Sequence, residues 1–200
     1  MNDYVESTLQ TGEMVITNLH RAANLIRNFK EVAADQNDEQ KRVFTLYGYI
    51  ESLLRSLEGE LKSFKISVDL SGDKTVQLNS YPSAYSQIIT NFIINSLKHG
   101  FKRQHQHHIS IAFEIHGDTL LLRYKDDGRG IDANTLPKIF DPFFTTQRTA
   151  GGTGLGLHIV YNIVNQRLGG TIDASSEVGA GVEFTIRVPL IPPTKAPSRA

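Results

Sequence analysis

The sequence contains no cysteine. That absence removes disulfide frameworks, thiolate zinc sites and thiol nucleophiles together, and it agrees with a reducing compartment, so the expected location is the cytoplasm. Net charge is also missing, because 21 Lys and Arg balance 21 Asp and Glu. No general field therefore draws the surface to nucleic acid or to an anionic membrane, and neither is expected as a partner. Any bound polyanion must be held locally. No window approaches the about 18 consecutive apolar residues of a membrane span, and the opening stretch MNDYVESTLQTG has neither the basic run nor the apolar stretch of a leader. The chain itself is expected to make no membrane contact, although a longer parent could be anchored.

What is present suffices for one ordinary globular domain plus an extra element: 200 residues, 40% of them hydrophobic. Ile16, Leu19, Ala23, Ile26 and Ala33 recur at helical spacing, predicting a helix over residues 6–34 that the polar run 35–39 closes. Beyond a boundary at 35–42 the pattern mixes strands and helices. Strands are expected at 43–45, 65–70 and 75–78, with a helix over 47–62 and another from Ser80 to His99, where Pro82 suits the first turn and Gly100 the stop. Hairpins are expected at 109–115 with 120–124 and at 171–174 with 182–188, and a helix at 155–168. The tail 191–200, rich in proline and small polar residues, is expected to be disordered. This order predicts the α+β class: a two-layer α/β sandwich with a mixed sheet and about three helices on one face, preceded by one long helix.

Three segments carry chemistry. Asn91 and Asn95 are four apart and Lys98 is three further, so on a helix they share one stripe, polar where the rest is rich in isoleucine. An asparagine carbonyl can ligate Mg²⁺ and a lysine supplies a point charge for phosphate, although a solvated helix face would explain the same stripe. The second segment, Asp126-Asp127-Gly128-Arg129-Gly130-Ile131, follows a strand. A carboxylate there can accept a hydrogen bond from an exocyclic amine while the glycines let a ligand approach the backbone; a short turn explains it almost as well. The third, Gly151-Gly152-Thr153-Gly154-Leu155-Gly156-Leu157, runs into a helix whose N-terminus favours a polyphosphate. It is not a Walker loop, since Leu157 and His158 stand where lysine and a hydroxyl residue would be needed, and the dinucleotide fingerprint lacks its early strand and later acid. Between the last two segments, Phe140-Asp141-Pro142-Phe143-Phe144-Thr145-Thr146-Gln147-Arg148-Thr149-Ala150 suits either a hinged lid or a small satellite core under a loop.

In this order, the stretch Asn91 to His99, the stretch Asp126 to Ile131, Phe140 to Phe144, Gly152 to Leu157 and Gly179 to Phe184 resemble the N, G1, F, G2 and G3 boxes of the histidine-kinase ATP-binding domain, a member of the GHKL group of ATPases. The resemblance covers residues 43–190, and five boxes in register are far more specific than any one alone. It implies a sandwich of the GHKL (Bergerat) type that binds ATP and Mg²⁺. It further implies Asn95 as the Mg²⁺ ligand, Asn91 and Lys98 near the phosphates with His99 beside them, and Asp126 on the adenine amine. Gly128, Gly130 and Ile131 would line the base. Gly152, Thr153, Gly154, Leu155, Gly156 and Leu157 would close over the triphosphate. Thr145, Thr146 and Arg148 would belong to the lid, with Arg148 making the phosphate contact because Gln147 stands where such lids often place a lysine. Val182 stands where a small hydroxyl residue is frequent, so that hydrogen bond near the adenine is expected either to be absent or to be taken by Thr185.

The resemblance also implies a phosphoacceptor histidine followed by an acid, and no such pair precedes the domain; His20 is followed by Arg21. Residues 1–40 are therefore expected to be the C-terminal helix of a truncated dimerisation hairpin, 41–190 the ATP-binding catalytic domain and 191–200 a tail. The implied partners are a phosphoacceptor-histidine helix of the same or another protomer, a response regulator, and a second copy of the chain through the N-terminal helix. Other GHKL chemistry, either a serine-directed regulatory kinase or a conformational ATPase, is the alternative enzyme; a non-enzymatic nucleotide-sensing module is the alternative outside enzymes. His105, His107 and His108 cluster with Lys102 and Arg103, and read as loop residues just before a strand with no carboxylate beside them.

Overall fold

A computed structural model describes residues 40–102, 105–146 and 153–190. The expected helix at 6–34, His20, Arg103, Arg148, Gly152 and the tail lie outside the described residues. Strand β1 (Arg42–Thr45) leads into helix α1 (Leu46–Ser56) and the short α2 (Glu58–Ser63). Then come β2 (Ile66–Ser71), β3 (Gln77–Ser80) and helix α3 (Pro82–Asn95), which ends in a π turn, Ser96–Gly100. Next are β4 (His107–His116), β5 (Thr119–Asp126) and a single 3₁₀ turn at Leu136–Lys138. Helix α4 (Gly156–Asn162) likewise continues into a π turn, Ile163–Arg167, before β6 (Thr171–Ser176) and β7 (Val182–Pro189).

Five strands form one mixed sheet in the order β2-β4-β5-β7-β6, with only the β2–β4 pair parallel. Alternation decides its two faces, because residues directly opposite each other across a ladder project to the same side. Ile111, Tyr124, Phe184 and Ala174 lie in one such row, and Phe113, Leu122, Ile186 and Ile172 in the next. This side is buried beneath the helices, where Phe92 of α3 stacks on Phe184 with ring centroids 4.3 Å apart. The opposite side carries Arg123, Thr185 and Asp173 in one row, and its ion pairs, Arg123 with Glu114 and Arg187 with Asp173, run across the strands. A sheet with one apolar and one polar face, covered by helices on the apolar one, is the two-layer sandwich expected from the sequence. Strands β1 and β3 form a separate antiparallel pair.

Two expectations change. The helix expected over 47–62 is broken at Leu57, where φ −96° and ψ 0° let its N–H reach both Leu53 and Leu54 carbonyls; this tightened turn swings the short α2 so that Leu61 is buried. The histidines at 107 and 108 begin β4 instead of sitting in a loop, and both have carboxylates beside them. Strand pairing and the turn after β5 bring Asp69 to 3.4 Å from His108 and Asp127 to 3.2 Å from His107. Among the described residues no His, Cys, Asp and Glu group is arranged to hold a metal ion, and no helix is long and apolar enough to cross a membrane.

Candidate functional site

A cleft of about 690 Å³ opens between α3 and the loops that follow β5 and precede α4. The apolar positions Ile88, Ile89, Phe92 and Ile93 bury one side of α3, so Asn91 and Asn95, one turn apart, face the cleft on the other. Asn91 donates from Nδ2 to the Gln87 carbonyl at 2.9 Å, which sets its amide so that Oδ1 lies 3.0 Å from where a Cβ on Gly156 would be. A side chain at Gly156 would press on the Asn91 amide, so glycine suits this close approach of the start of α4. The Asn95 Nδ2 is buried and has no hydrogen-bond partner among the described residues, and such an atom is costly unless a ligand serves it.

The π turn after Asn95 sets the directions of the next side chains. Its i to i+5 closure, Phe101 N–H to Ser96 carbonyl at 2.8 Å, slips the helical register in the way π bulges do at functional sites. Ser96, almost fully buried in the cleft wall, turns its hydroxyl to Asp126, while Lys98 and His99 line the cleft beside it. Burial, with the charges of Arg129 and Lys98 adding to it, holds the His99 imidazole below its usual range. It is therefore neutral at pH 7.

Asp126 ends β5 with only 4% of its surface exposed. Its Oδ1 accepts from the Gly128 N–H at 2.9 Å and the Val182 N–H at 3.2 Å, and its Oδ2 accepts from the Ser96 hydroxyl at 2.5 Å. The three donors compensate the burial of the charge. The surrounding turns are assembled on glycines: a Cβ on Gly130, at φ 71°, would lie 2.0 Å from the Glu177 carbonyl oxygen. The Gly179 N–H donates to the Arg129 carbonyl at 2.7 Å. The loop after β5 is thus clamped onto the β6–β7 turn, whose Val178 also lines the cleft.

The F segment is attached to α4 through one imidazole. His158 Nδ1 lies 3.0 Å from the Phe140 carbonyl and so donates to it, leaving Nε2 to accept from Asn162 Nδ2 at 3.1 Å. Phe143, at φ 63°, backs onto Gly154, where a Cβ would be 2.4 Å from the Phe143 carbonyl carbon. We expect His158→Ala to cost about 1 kcal/mol, the worth of one such bond, and to speed hydrogen exchange at residues 139–146 selectively. Uniform acceleration over the sheet would show that His158 supports the whole fold instead.

Of the residues expected from the sequence, Asn91, Asn95, Lys98, His99, Asp126, Gly130, Ile131, Thr145, Thr146, Thr153, Gly154, Gly156 and Leu157 line the cleft. Gly128 stands beside it, because its Cα packs against Gly100 so closely that a Cβ would be 2.9 Å from the Gly100 Cα. Leu155 packs into the core. Thr185 is a correction. On β7 it alternates with the buried Phe184 and Ile186 and pairs with Arg123 and Asp173, which places it on the polar face of the sheet, away from the cleft. Besides the Ser96 hydroxyl on Asp126, the hydroxyl of Ser176 on β6 ties the neighbouring turns together, accepting from the Ile131 N–H at 2.8 Å and donating to the Gly181 carbonyl at 2.6 Å. Ser176 escapes sequence reasoning because nothing local marks it; Ser96, Arg129 and Asp132, which also line the cleft, stand inside or next to the Asn91–His99 and Asp126–Ile131 stretches.

An α/β sandwich with a buried carboxylate at one end of a glycine-walled cleft and amides with a lysine elsewhere in its wall defines an ATPase-type nucleotide domain. The chain belongs to the histidine kinase-, DNA gyrase B- and HSP90-like ATPase family, whose pattern matches residues 81–192. Its relatives include sensor kinases: it is 33% identical over 146 residues to the sensor histidine kinase ZraS of Escherichia coli K12, a match covering 70% of this chain and 29% of ZraS. The chain thus spans under a third of that relative's length. Among solved structures, full-length ShkA in complex with AMPPNP matches with a TM-score of 0.72 at 22% identity, over 92% of this chain and 38% of ShkA. Histidine kinase ThkA in complex with the response regulator TrrA matches at 0.70 and 19%, over 91% of this chain and 51% of that one. These two likenesses show the shared fold.

Proposed function

We propose that the cleft binds Mg-ATP and that the domain donates the γ-phosphoryl group to a histidine on another segment, as the catalytic domain of a two-component sensor kinase. The observation that carries this reading is the polarity of the cleft. A buried, acceptor-only carboxylate, Asp126, suits the exocyclic amine of adenine, while Asn91, Asn95 and Lys98 offer amide oxygens and a cation to the phosphates.

Mg²⁺ fits the residues present. It is a hard cation that takes oxygen ligands and is usually shared between one or two protein groups and substrate phosphates; the carbonyl oxygen of Asn95 would offer such a ligand, and its buried Nδ2, without a partner among the described residues, would be left to donate to a phosphate oxygen. Bound there, the ion supplies charge that offsets the phosphate oxygens. The protein's own contribution is positioning and electrostatics, which dominate phosphoryl transfer: Lys98 neutralises, the α4 N-terminus presents N–H groups, and the neutral His99 adds no charge. In the transfer, the bond from the β,γ-bridging oxygen to the γ-phosphorus breaks, ADP leaves with the electron pair, a bond from phosphorus to the unprotonated nitrogen of the acceptor imidazole forms, and the other ring nitrogen releases its proton to solvent. The acceptor helix and, after it, the aspartate of a response regulator are the partners this reading requires, with the N-terminal segment as the site of self-association.

Label from γ-radiolabelled ATP is expected as acid-labile phosphohistidine when the domain meets a dimerisation hairpin bearing a His-Glu pair. Acid-stable label on serine, or ATP turnover without label, would reject the kinase assignment. In binding, Asp126→Asn should weaken ATP about thirtyfold, the loss of one hydrogen bond to a charged group, and leave tripolyphosphate nearly unaffected. Equal losses for the two would place the base elsewhere.

A further inference from the structure

Behind Asp126 lies a buried chain of hydroxyls that the proposed function does not use. The Tyr124 hydroxyl is 2.9 Å from Ser96 Oγ, and Ser96 Oγ is 2.5 Å from Asp126 Oδ2. Tyr124 is 1% exposed and Ser96 3% exposed, so water competes for neither. The direction of the chain is fixed by chemistry. A serine hydroxyl has one proton; Asp126 as an ionised carboxylate can only accept, so that proton goes to Oδ2, and Ser96 must accept from Tyr124. Burial pushes the Tyr124 phenol far above its usual range, so it stays protonated and always donates.

Counting acceptor positions then shows what remains for a ligand. A carboxylate has about four lone-pair sites. Two on Oδ1 are taken by the Gly128 and Val182 N–H groups and one on Oδ2 by Ser96. A single acceptor position is left, on the same oxygen that Ser96 holds. The two backbone donors alone would leave Oδ2 free to take up a water, which can donate as well as accept. With Ser96 in place Asp126 offers only acceptance.

Resting on the reading that adenine sits at Asp126, we propose that Ser96, backed by Tyr124, is a positioning residue that sets base specificity by holding Asp126 as a one-site acceptor for a 6-amino purine and against a 6-oxo purine. A 6-oxo base presents a carbonyl acceptor where adenine presents N–H, and two facing acceptors repel.

The test measures equilibrium binding of ATP, inosine triphosphate and tripolyphosphate to the whole chain and its Ser96→Ala, Tyr124→Phe and Asp126→Asn variants, with near-UV and far-UV circular dichroism as the folding check. Ser96→Ala is expected to reduce the ATP-to-inosine preference about tenfold with less than a twofold change for tripolyphosphate. Tyr124→Phe conserves volume and leaves the Ser96 proton for Asp126, so its expected reduction is about threefold. An unchanged preference in a folded Ser96→Ala protein overturns the proposal; should that variant not fold, an unchanged preference in Tyr124→Phe does the same. Failure of the underlying reading looks different. There the wild type would not prefer ATP over inosine triphosphate, or Asp126→Asn would keep the wild-type preference.

Discussion

Gly181→Ala is expected to be among the most damaging single substitutions in the domain, lowering stability by about 3 kcal/mol. Two costs add. Gly181 sits at φ 81°, where an L side chain is disfavoured by about 1–2 kcal/mol. Its Cβ would also fall 1.8 Å from the Asp126 carbonyl oxygen and 3.0 Å from the Asp127 Cα. Both neighbours are backbone, so no rotamer change relieves the overlap. The Asp126–Val182 register of the β5–β7 ladder must open instead, and the Val182 N–H that restrains Asp126 moves with it. At about 2–4 °C per kcal/mol for a chain of this size, Tm should fall by about 6–12 °C, and ATP affinity by more than tenfold. Gly179 supplies the comparison. Its φ is 87°, yet nothing lies within 4 Å of its Cβ position, so Gly179→Ala should carry only the conformational cost. Thermal melts and ATP titrations of the two variants decide the matter, and equal destabilisation would show that the tight approach of Gly181 to Asp126 contributes little.

The contrast between these two glycines also indicates how much the sequence discloses. Both stand in one glycine-rich turn, and the turn itself is legible there; which of them is pressed against Asp126 depends on strand register. The same limit explains Thr185. Its place near a motif suggests proximity to the base, but a strand reverses sides with each residue, and pairing with Arg123 and Asp173 turns it to the polar face. Periodic elements are readable because burial acts on every repeat: the isoleucines of α3 and the alternation of β4, β5 and β7 carry the two-layer sandwich. What stays hidden depends on contacts distant in sequence. Ser96 is 30 residues from Asp126 and Ser176 is 45 from Ile131; Ser96 stands inside the Asn91–His99 stretch, yet nothing local shows that its hydroxyl turns to Asp126. The π turn at Ser96–Gly100 is equally silent in the sequence, although it turns the Ser96 hydroxyl to Asp126 and leaves Lys98 on the cleft. The break at Leu57 is hidden because the apolar spacing continues through it.

Asn95→Ala is expected to abolish the magnesium dependence of ATP binding, a loss of about 100-fold or more when Mg²⁺ is present, at or above the upper end for residues that merely support a metal ligand. The site explains why so large an effect belongs to one amide. Asn95 is the last residue of α3, its side chain is held beside Gly156, and its Nδ2 is buried with no hydrogen-bond partner among the described residues. No carboxylate shares this stripe of the helix, so an ion there would depend on a neutral oxygen and on the phosphates it accompanies. Removing the amide also deletes an atom whose burial is unfavourable in the ligand-free domain, so Asn95→Ala should leave Tm unchanged or raised. That pairing of outcomes, lost magnesium-dependent affinity with undiminished stability, separates a ligand-serving residue from a structural one. Asn91→Ala should behave differently, because Asn91 already bonds the Gln87 carbonyl and keeps part of its role within the helix; a smaller loss in affinity is expected, with Mg²⁺ still enhancing binding. Titrations of ATP with Mg²⁺ and with a chelator, alongside thermal melts, measure both variants. Equal magnesium enhancement in wild type and Asn95→Ala would remove Asn95 from the metal site, and a fall in Tm matching the fall in affinity would assign it to the fold.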